Sequence, residues 1–286
     1  MQLLPFHLVL PDRPSSSAIF ASPHSGRDYP WSFIRASQLD EKTIRSSEDA
    51  FVDQLFAHAP QCGAPLLAAS APRAYVDLNR SADELDPALI YGVKQSGHNP
   101  RLSSGLGVIP RVVAGGREIR SGKITHFEAQ SRLEQHYFPY HQKLQTLIDQ
   151  SLALHGHALL FDCHSMPHDA LVSTNYGSAP TPDVVLGDRY GVSCNQDIVV
   201  EVEQILTGAG LKTARNLPFA GAYVAQHYGR PVAGRHVLQI EIDRAIYMDE
   251  ESIQPNENFT AFKELLSGVI QKFVVLGQQD IRLAAE

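Results

Sequence analysis

The run Ala158-Leu159-Leu160-Phe161, entered after Gly156 and leading into Asp162-Cys163-His164-Ser165, constrains the fold more than any other stretch. A strand with one wet face alternates apolar and polar residues, whereas a nearly unbroken apolar run belongs to a strand covered on both faces. Such a strand needs a helical layer on each side. Thr125 to His155 supplies one helical stripe, through Tyr137, Tyr140, His141, Leu144, Ile148 and Leu152, and Pro139 is expected to kink or divide it. Further helices are expected from about Asn195 to Ala209 and from near Asn256. Another is expected from Ser47, where Phe51/Leu55 and Val52/Phe56 repeat at helical spacing, with Ser46 or Ser47 as N-cap and Gly63 just beyond its end.

Shorter runs read as strands: Ala18 to Ser22, ending in Pro23-His24-Ser25-Gly26; Pro65 to Ala69; Tyr75 to Leu78; Thr213 to Arg215; and His236 to Ile242. Strands alternating with helices predict an α/β sandwich around a largely parallel or mixed sheet. In such sheets ligands bind beyond the carboxyl ends of the strands. The 286 residues are read as a single domain, with residues 81–122, rich in Gly, Pro and Ser, forming loops or a small hairpin over a site.

Composition narrows the function classes. With 24 basic against 31 acidic residues and a net charge of −7, the chain is not expected to bind nucleic acid. No stretch approaches the ~18 consecutive apolar residues of a membrane span, so no membrane partner is expected. Cys62, Cys163 and Cys194 are odd in number and lack CxxC spacing, which suits reduced thiols in a cytoplasmic protein. Thirteen histidines are the unusual feature, although His58, His98, His155 and His157 fall in ordinary helical or loop contexts. His24 and His164 differ, because each follows an apolar strand and precedes a serine.

Hydrolysis of an amide or ester at neutral pH needs a nucleophile stronger than water, and zinc supplies one by acidifying its bound water to a pKa of about 7. Three protein ligands and an open position are required, often two histidines and a carboxylate. Glu48 and Asp49 both offer the carboxylate. Arg73-Ala-Tyr-Val-Asp77-Leu-Asn79-Arg80 suggests an arginine fork for a substrate carboxylate, with an internal Asp77–arginine salt bridge as the alternative. On the late strand Val237, Gln239 and Glu241 share one face. A carboxylate among buried positions is costly unless paired or employed, so Glu241 is read as a general base or as a partner of Arg244. Ser165 lacks a GxSxG elbow and is not read as a nucleophile.

The ordered set Pro23-His24-Ser25-Gly26, Ser47-Glu48-Asp49-Ala50-Phe51-Val52-Asp53, Arg73 to Arg80, Asp162-Cys-His164-Ser165-Met166 and Leu238-Gln-Ile-Glu241 strongly resembles the N-formylglutamate amidohydrolase family. Tyr137-Phe-Pro-Tyr140-His141 and Asn216-Leu-Pro-Phe219-Ala-Gly221-Ala-Tyr223 fit the same pattern, and the likeness runs from about residue 18 to 247. That family is similar in fold to the zinc carboxypeptidases and aminoacylases, a three-layer α/β/α sandwich around a mixed, mostly parallel sheet. The resemblance implies hydrolysis of N-formyl-L-glutamate to formate and L-glutamate, a late step of one histidine-degradation route, with one divalent ion, Zn2+. It implies His24 and His164 as metal ligands and Glu241 as base, with Asn79 and Arg80 clamping the α-carboxylate. Carboxypeptidases carry their acidic ligand three residues after the first histidine, where this chain has Arg27, so the third ligand is expected from Asp49, preferred, or Glu48. Arg73, Arg111, Tyr223 and His227 are candidates for the second carboxylate or the oxyanion. The expected partner is therefore a small anionic N-acyl amino acid. Two rival readings are a zinc deacylase for another N-acyl amino acid or small peptide, and a non-catalytic carboxylate-binding relative.

Overall fold

The computed structural model describes residues 4–94, 99–177 and 179–278. Seven strands form one mixed sheet: β1 (Phe6–Val9), β2 (Ala18–Ser22), β3 (Leu66–Ala69), β4 (Ala158–Met166), β5 (Val184–Gly187), β6 (Thr213–Arg215) and β7 (Arg235–Asp243). Their spatial order is β1-β3-β2-β4-β7-β5-β6. The four middle strands β3, β2, β4 and β7 run parallel, β1 is antiparallel to β3, and β5 with β6 runs against β7.

Helices cover both faces, as the apolar run in β4 requires. Ile19, Leu160 and Val237 pack on one side against α1 (Phe138–His155), with Tyr140, Leu144 and Ile148 in the same core. Phe20, Phe161 and Leu238 pack on the other side against α2 (Gln196–Gly208) and α3 (Phe259–Leu276). Phe161 is the keystone of that second core, its ring 5.0 Å from Phe20 and 4.7 Å from Phe273. This is the expected α/β/α sandwich. No helix among the described residues is long and apolar enough to cross a membrane.

Several local expectations change. Pro139 does not divide the long helix. The break falls just before it as a π-helical segment, Leu133–Tyr137, between His126–Arg132 and α1. β4 does not stop at Asp162 but continues to Met166, so His164 lies within a strand. Tyr75 to Leu78 is not a strand: the Tyr75 and Val76 N–H groups both donate to the Pro72 carbonyl, winding the segment into turns. The helix expected from Ser47 is reduced to Val52–Leu55, because Phe51 adopts a left-handed φ of 66° and Asp49 turns back toward His24. Within 81–122 the hairpin is present as Val112–Val113 against Arg117–Glu118. His98 lies outside the described residues.

Truncating the central aromatic tests the two-sided burial of β4. Phe161→Ala should lower unfolding free energy by about 3–5 kcal/mol in chemical denaturation. A loss below about 1 kcal/mol would show that this face is not a packed core.

Candidate metal centre and substrate cavity

The parallel register decides which polar groups meet. Residues opposite one another across β4 and β7 point to the same face, and Leu160 aligns with Val237, Asp162 with Gln239, and His164 with Glu241. The α1 side of the sheet is therefore apolar as far as Leu160 and Val237 and polar beyond them. His24 enters from the loop after β2, and its ring stands 4.8 Å from that of His164. Gly26 permits this loop to pass close to a neighbouring chain segment, since a Cβ there would stand 2.1 Å from the Ala71 carbonyl oxygen.

Asp49 completes the cluster. Its Oδ2 lies 2.8 Å from His164 Nδ1 and 3.4 Å from His24 Nδ1, and its N–H donates to the His24 carbonyl at 3.0 Å. One donor atom from each of His24, Asp49 and His164 falls within a 4.8 Å span, and all three residues are buried. The outward ring nitrogens are held by carboxylates: His24 Nε2 donates to Asp77 Oδ1 at 2.7 Å, and His164 Nε2 stands 3.2 Å from Asp162 Oδ2. Such contacts favour a proton on Nε2 and aim both Nδ1 atoms, the ones a metal ion would take, toward Asp49. Arg244 Nη2 donates to Asp49 Oδ1 at 2.9 Å, which leaves Oδ2 for the cluster.

The donor set fits a divalent metal ion. His24 Nδ1 is fully buried and makes no hydrogen bond among the described residues, an expensive condition for a ring nitrogen unless another group binds it. Two imidazoles and one carboxylate converging from one side also leave the cavity side open.

Electrostatics follow from burial and pairing. Burial pushes the Asp49 carboxyl up, but the hydrogen bond of His164 and the nearby charges of His24 and His164 outweigh it and hold it well below the usual carboxylate range. Burial likewise opposes ionisation of Asp77, yet the charges of Arg73, His24 and Arg80 hold it well down. For His164, Asp162, Asp49 and Glu241 overcome burial and raise its pKa well above the usual imidazole value. Glu241 goes the other way: burial, reinforced by Asp49, pushes it up to about 7 against the charges of His164, Arg73 and Arg244. A carboxylate that stays protonated until near neutrality is a base poised for proton transfer.

These groups line a cavity of about 750 Å3 that also contains Arg73, Arg80, Arg101 and Arg189. The other expected residues distribute unevenly. Glu48 stands apart from the cluster, its carboxylate accepting from Tyr29 Oη at 2.6 Å and from Arg45 at 3.0 and 3.1 Å. Arg73 faces the cavity while its Nε donates to Asp77 at 3.0 Å, so the internal salt bridge and the cavity role coexist. Arg80 spends Nε on the Leu106 carbonyl and Nη1 on the Asn79 carbonyl, with Nη2 left over among the described residues. Asn79 lines the cavity, but its Oδ1 accepts from Val224 N at 2.7 Å and its Nδ2 faces Asp162 and His164. Its amide braces Asp162, the acid behind His164, more than it reaches for a ligand.

Arg111 and Tyr223 lie outside the cavity lining. Arg111 braces the 81–122 region through Asp86 at 3.0 Å and the Ser103 carbonyl. Tyr223 is stacked on His227 at 4.9 Å between centroids and packs edge-on against His141. The supporting acids Asp77 and Asp162 had a sequence signal, since Asp162 stands two residues before His164 on the same strand face. Arg244, the alternative partner for Glu241, donates its hydrogen bonds to Asp49 and Ser165. Gln239, whose Nε2 donates to Glu241 at 2.9 Å, shares the strand face already noted. Arg189 follows β5, a strand the sequence pattern does not announce.

The chain was compared with known proteins. Residues 16–248 match the model of the N-formylglutamate amidohydrolase family. An N-formylglutamate deformylase of Pseudomonas aeruginosa is 29% identical over 227 residues, 77% of this chain and 77% of that protein. One from Pseudomonas putida is 28% identical over 237 residues, covering 81% and 82%. The crystal structure of an N-formylglutamate amidohydrolase from Ralstonia eutropha superposes with a TM-score of 0.90 at 33% identity, covering 97% of this chain and 99% of that one.

Substitutions separate the cluster from its neighbours. Asp162→Asn should weaken metal affinity by about 10–100-fold, because the second contact of a ligating histidine tunes its basicity and orientation. Glu48→Gln should leave the affinity unchanged. Metal titration checks both, and the reverse pattern would place the third ligand at Glu48.

Proposed function

The chain belongs to the N-formylglutamate amidohydrolase family, and on that premise we propose that it hydrolyses the amide of N-formyl-L-glutamate to formate and L-glutamate. The observation that carries this reading is the buried His24–Asp49–His164 cluster beside Glu241 in an arginine-lined cavity. His24, Asp49 and His164 would hold one divalent ion, and two imidazoles with one carboxylate suit Zn2+. When bound, such an ion polarises the formyl carbonyl and acidifies water.

The chain's own groups do the rest. Glu241, as the carboxylate, takes a proton from the attacking water as its oxygen adds to the formyl carbon. Glu241 then returns that proton to the nitrogen of glutamate as the carbon–nitrogen bond breaks, so one water is consumed and formate and amine leave. Gln239 holds Glu241 in place through its amide N–H. Arg73, fixed by Asp77 and facing the cavity, is placed to stabilise negative charge on the former carbonyl oxygen. Arg80 would grip the α-carboxylate with the part of its guanidinium that the backbone does not use, while Asn79 braces the Asp162 carboxylate behind His164. Among the described residues the cysteines are unpaired, which fits a cytoplasmic place for the reaction at the end of a histidine-degrading route.

Glu241→Gln should reduce kcat by at least about 100-fold while metal content stays at the unsubstituted level. The rate should fall as pH falls, since protonated Glu241 cannot accept the proton. The acid limb of kcat/KM should lie at or below about 7, because a nearby cation favours the carboxylate. A Glu241→Gln enzyme with unreduced kcat, or one that keeps the acid limb, would remove Glu241 from the chemistry.

A further inference from the structure

Resting on the reading above, we propose that Arg189 is the residue that recognises the side-chain carboxylate of the substrate and so makes the cavity selective for a dicarboxylic amino acid. The other cavity arginines have employment. Arg73 is paired with Asp77, Arg244 with Asp49, and Arg80 is anchored beside Asn79, on the histidine side of the cavity. An N-formyl dicarboxylic amino acid carries two negative charges at its two ends, so a second cation is needed away from the amide.

Arg189 and Arg101 are the remaining choices, and neither forms an ion pair among the described residues. Arg101 is exposed on the four-residue helix Pro100–Ser103, and no hydrogen bond fixes its guanidinium among the described residues. Arg189 is half-buried and built in. Its N–H donates to the Ala220 carbonyl at 2.8 Å, and its Nη1 donates to the Gly221 carbonyl at 3.1 Å. Nε and Nη2 remain without a protein acceptor among the described residues. A guanidinium held by one edge with the other edge free is preorganised for an anion, because little side-chain entropy is left to lose on binding.

The backbone around Arg189 is shaped for this purpose. Arg189 and Tyr190 both adopt left-handed φ values, 52° and 57°, as does Asn216 at 62°. Asn216 stabilises the pair, donating to Asp188 Oδ1 at 2.6 Å and accepting from the Asp188 and Tyr190 N–H groups. Consecutive non-glycine residues in this region are strained and persist where the surroundings enforce them, often at ligand sites. Two glycines let the crossing occur. A Cβ on Gly187 would stand 2.7 Å from Gly221 N, and one on Gly221, at φ +106°, would stand 3.1 Å from Arg189 Cγ. The loop so gripped is tied to the reacting end, since the next N–H, of Ala222, donates to Gln239 Oε1, and Gln239 Nε2 donates to Glu241. A charge seated on Arg189 is thereby held at a fixed distance from the base.

The test uses the metal-loaded, full-length protein and two readouts. Binding of L-glutamate and L-glutamine is measured by calorimetry, and formate release is measured from their N-formyl derivatives. Glutamine is the neutral isostere, so the glutamate-over-glutamine ratio isolates the side-chain charge. Arg189→Gln should reduce that ratio by about 10–100-fold in both readouts, the scale of a lost charge-assisted contact. Arg189→Lys should restore part of it, and Arg101→Gln should leave it unchanged. An unaltered ratio in Arg189→Gln, or a collapse confined to Arg101→Gln, would overturn the assignment. Because a ratio compares two ligands on the same folded molecules, a loss of folded protein alone does not imitate the result. If the unsubstituted protein prefers glutamate in binding but releases no formate, the hydrolytic reading fails while the Arg189 assignment stands.

Discussion

The shared contact of Asp49 Oδ2 with His24 and His164 is the constraint on which the site depends. It joins three distant parts of the chain at the ends of two parallel strands, and each participant is pinned from behind by Asp77, Asp162 or Arg244. None of these groups could be buried alone, because a lone buried charge is expensive to desolvate. Among the described residues they satisfy one another except for Asp162 Oδ1 and His24 Nδ1, and the latter faces the position of the expected ion.

The charge inventory gives the same picture from a different direction. With the imidazoles neutral, as metal ligands are, and Glu241 ionised, the four buried carboxylates Asp49, Asp77, Asp162 and Glu241 against Arg73, Arg80 and Arg244 leave one excess negative charge. A divalent cation reverses that sign. Arg189 then adds positive charge toward the cavity, where a doubly anionic substrate would lie. The net charge of −7 for the whole chain is no obstacle, since a substrate inside a lined cavity responds chiefly to the nearby groups.

Much of this was legible in the sequence for physical reasons. Two-sided burial writes itself as an unbroken apolar run, which placed β4, and period-two alternation put Gln239 and Glu241 on one face. The place of each just after an apolar run and before a serine marked His24 and His164, and the resemblance supplied the ordering of the motifs. What could not be read were the consequences of long-range contact. Whether Asp49 or Glu48 turns inward depends on Phe51 adopting a left-handed φ and on Arg45 and Tyr29 claiming Glu48. Arg111 and Tyr223 look like ligand groups by type, but Asp86 and His227 hold them elsewhere. Arg189 depends on an antiparallel strand of four residues and on a glycine crossing between segments more than thirty residues apart.

The most direct measurement is formate release from N-formyl-L-glutamate by the purified protein, followed through chelation and stoichiometric return of Zn2+. The expected result is about one ion per chain, activity lost with the ion and recovered with it, and a folded protein throughout. Full activity in the metal-free protein, or formate release indifferent to the loss of His24, Asp49 and His164, would contradict the account.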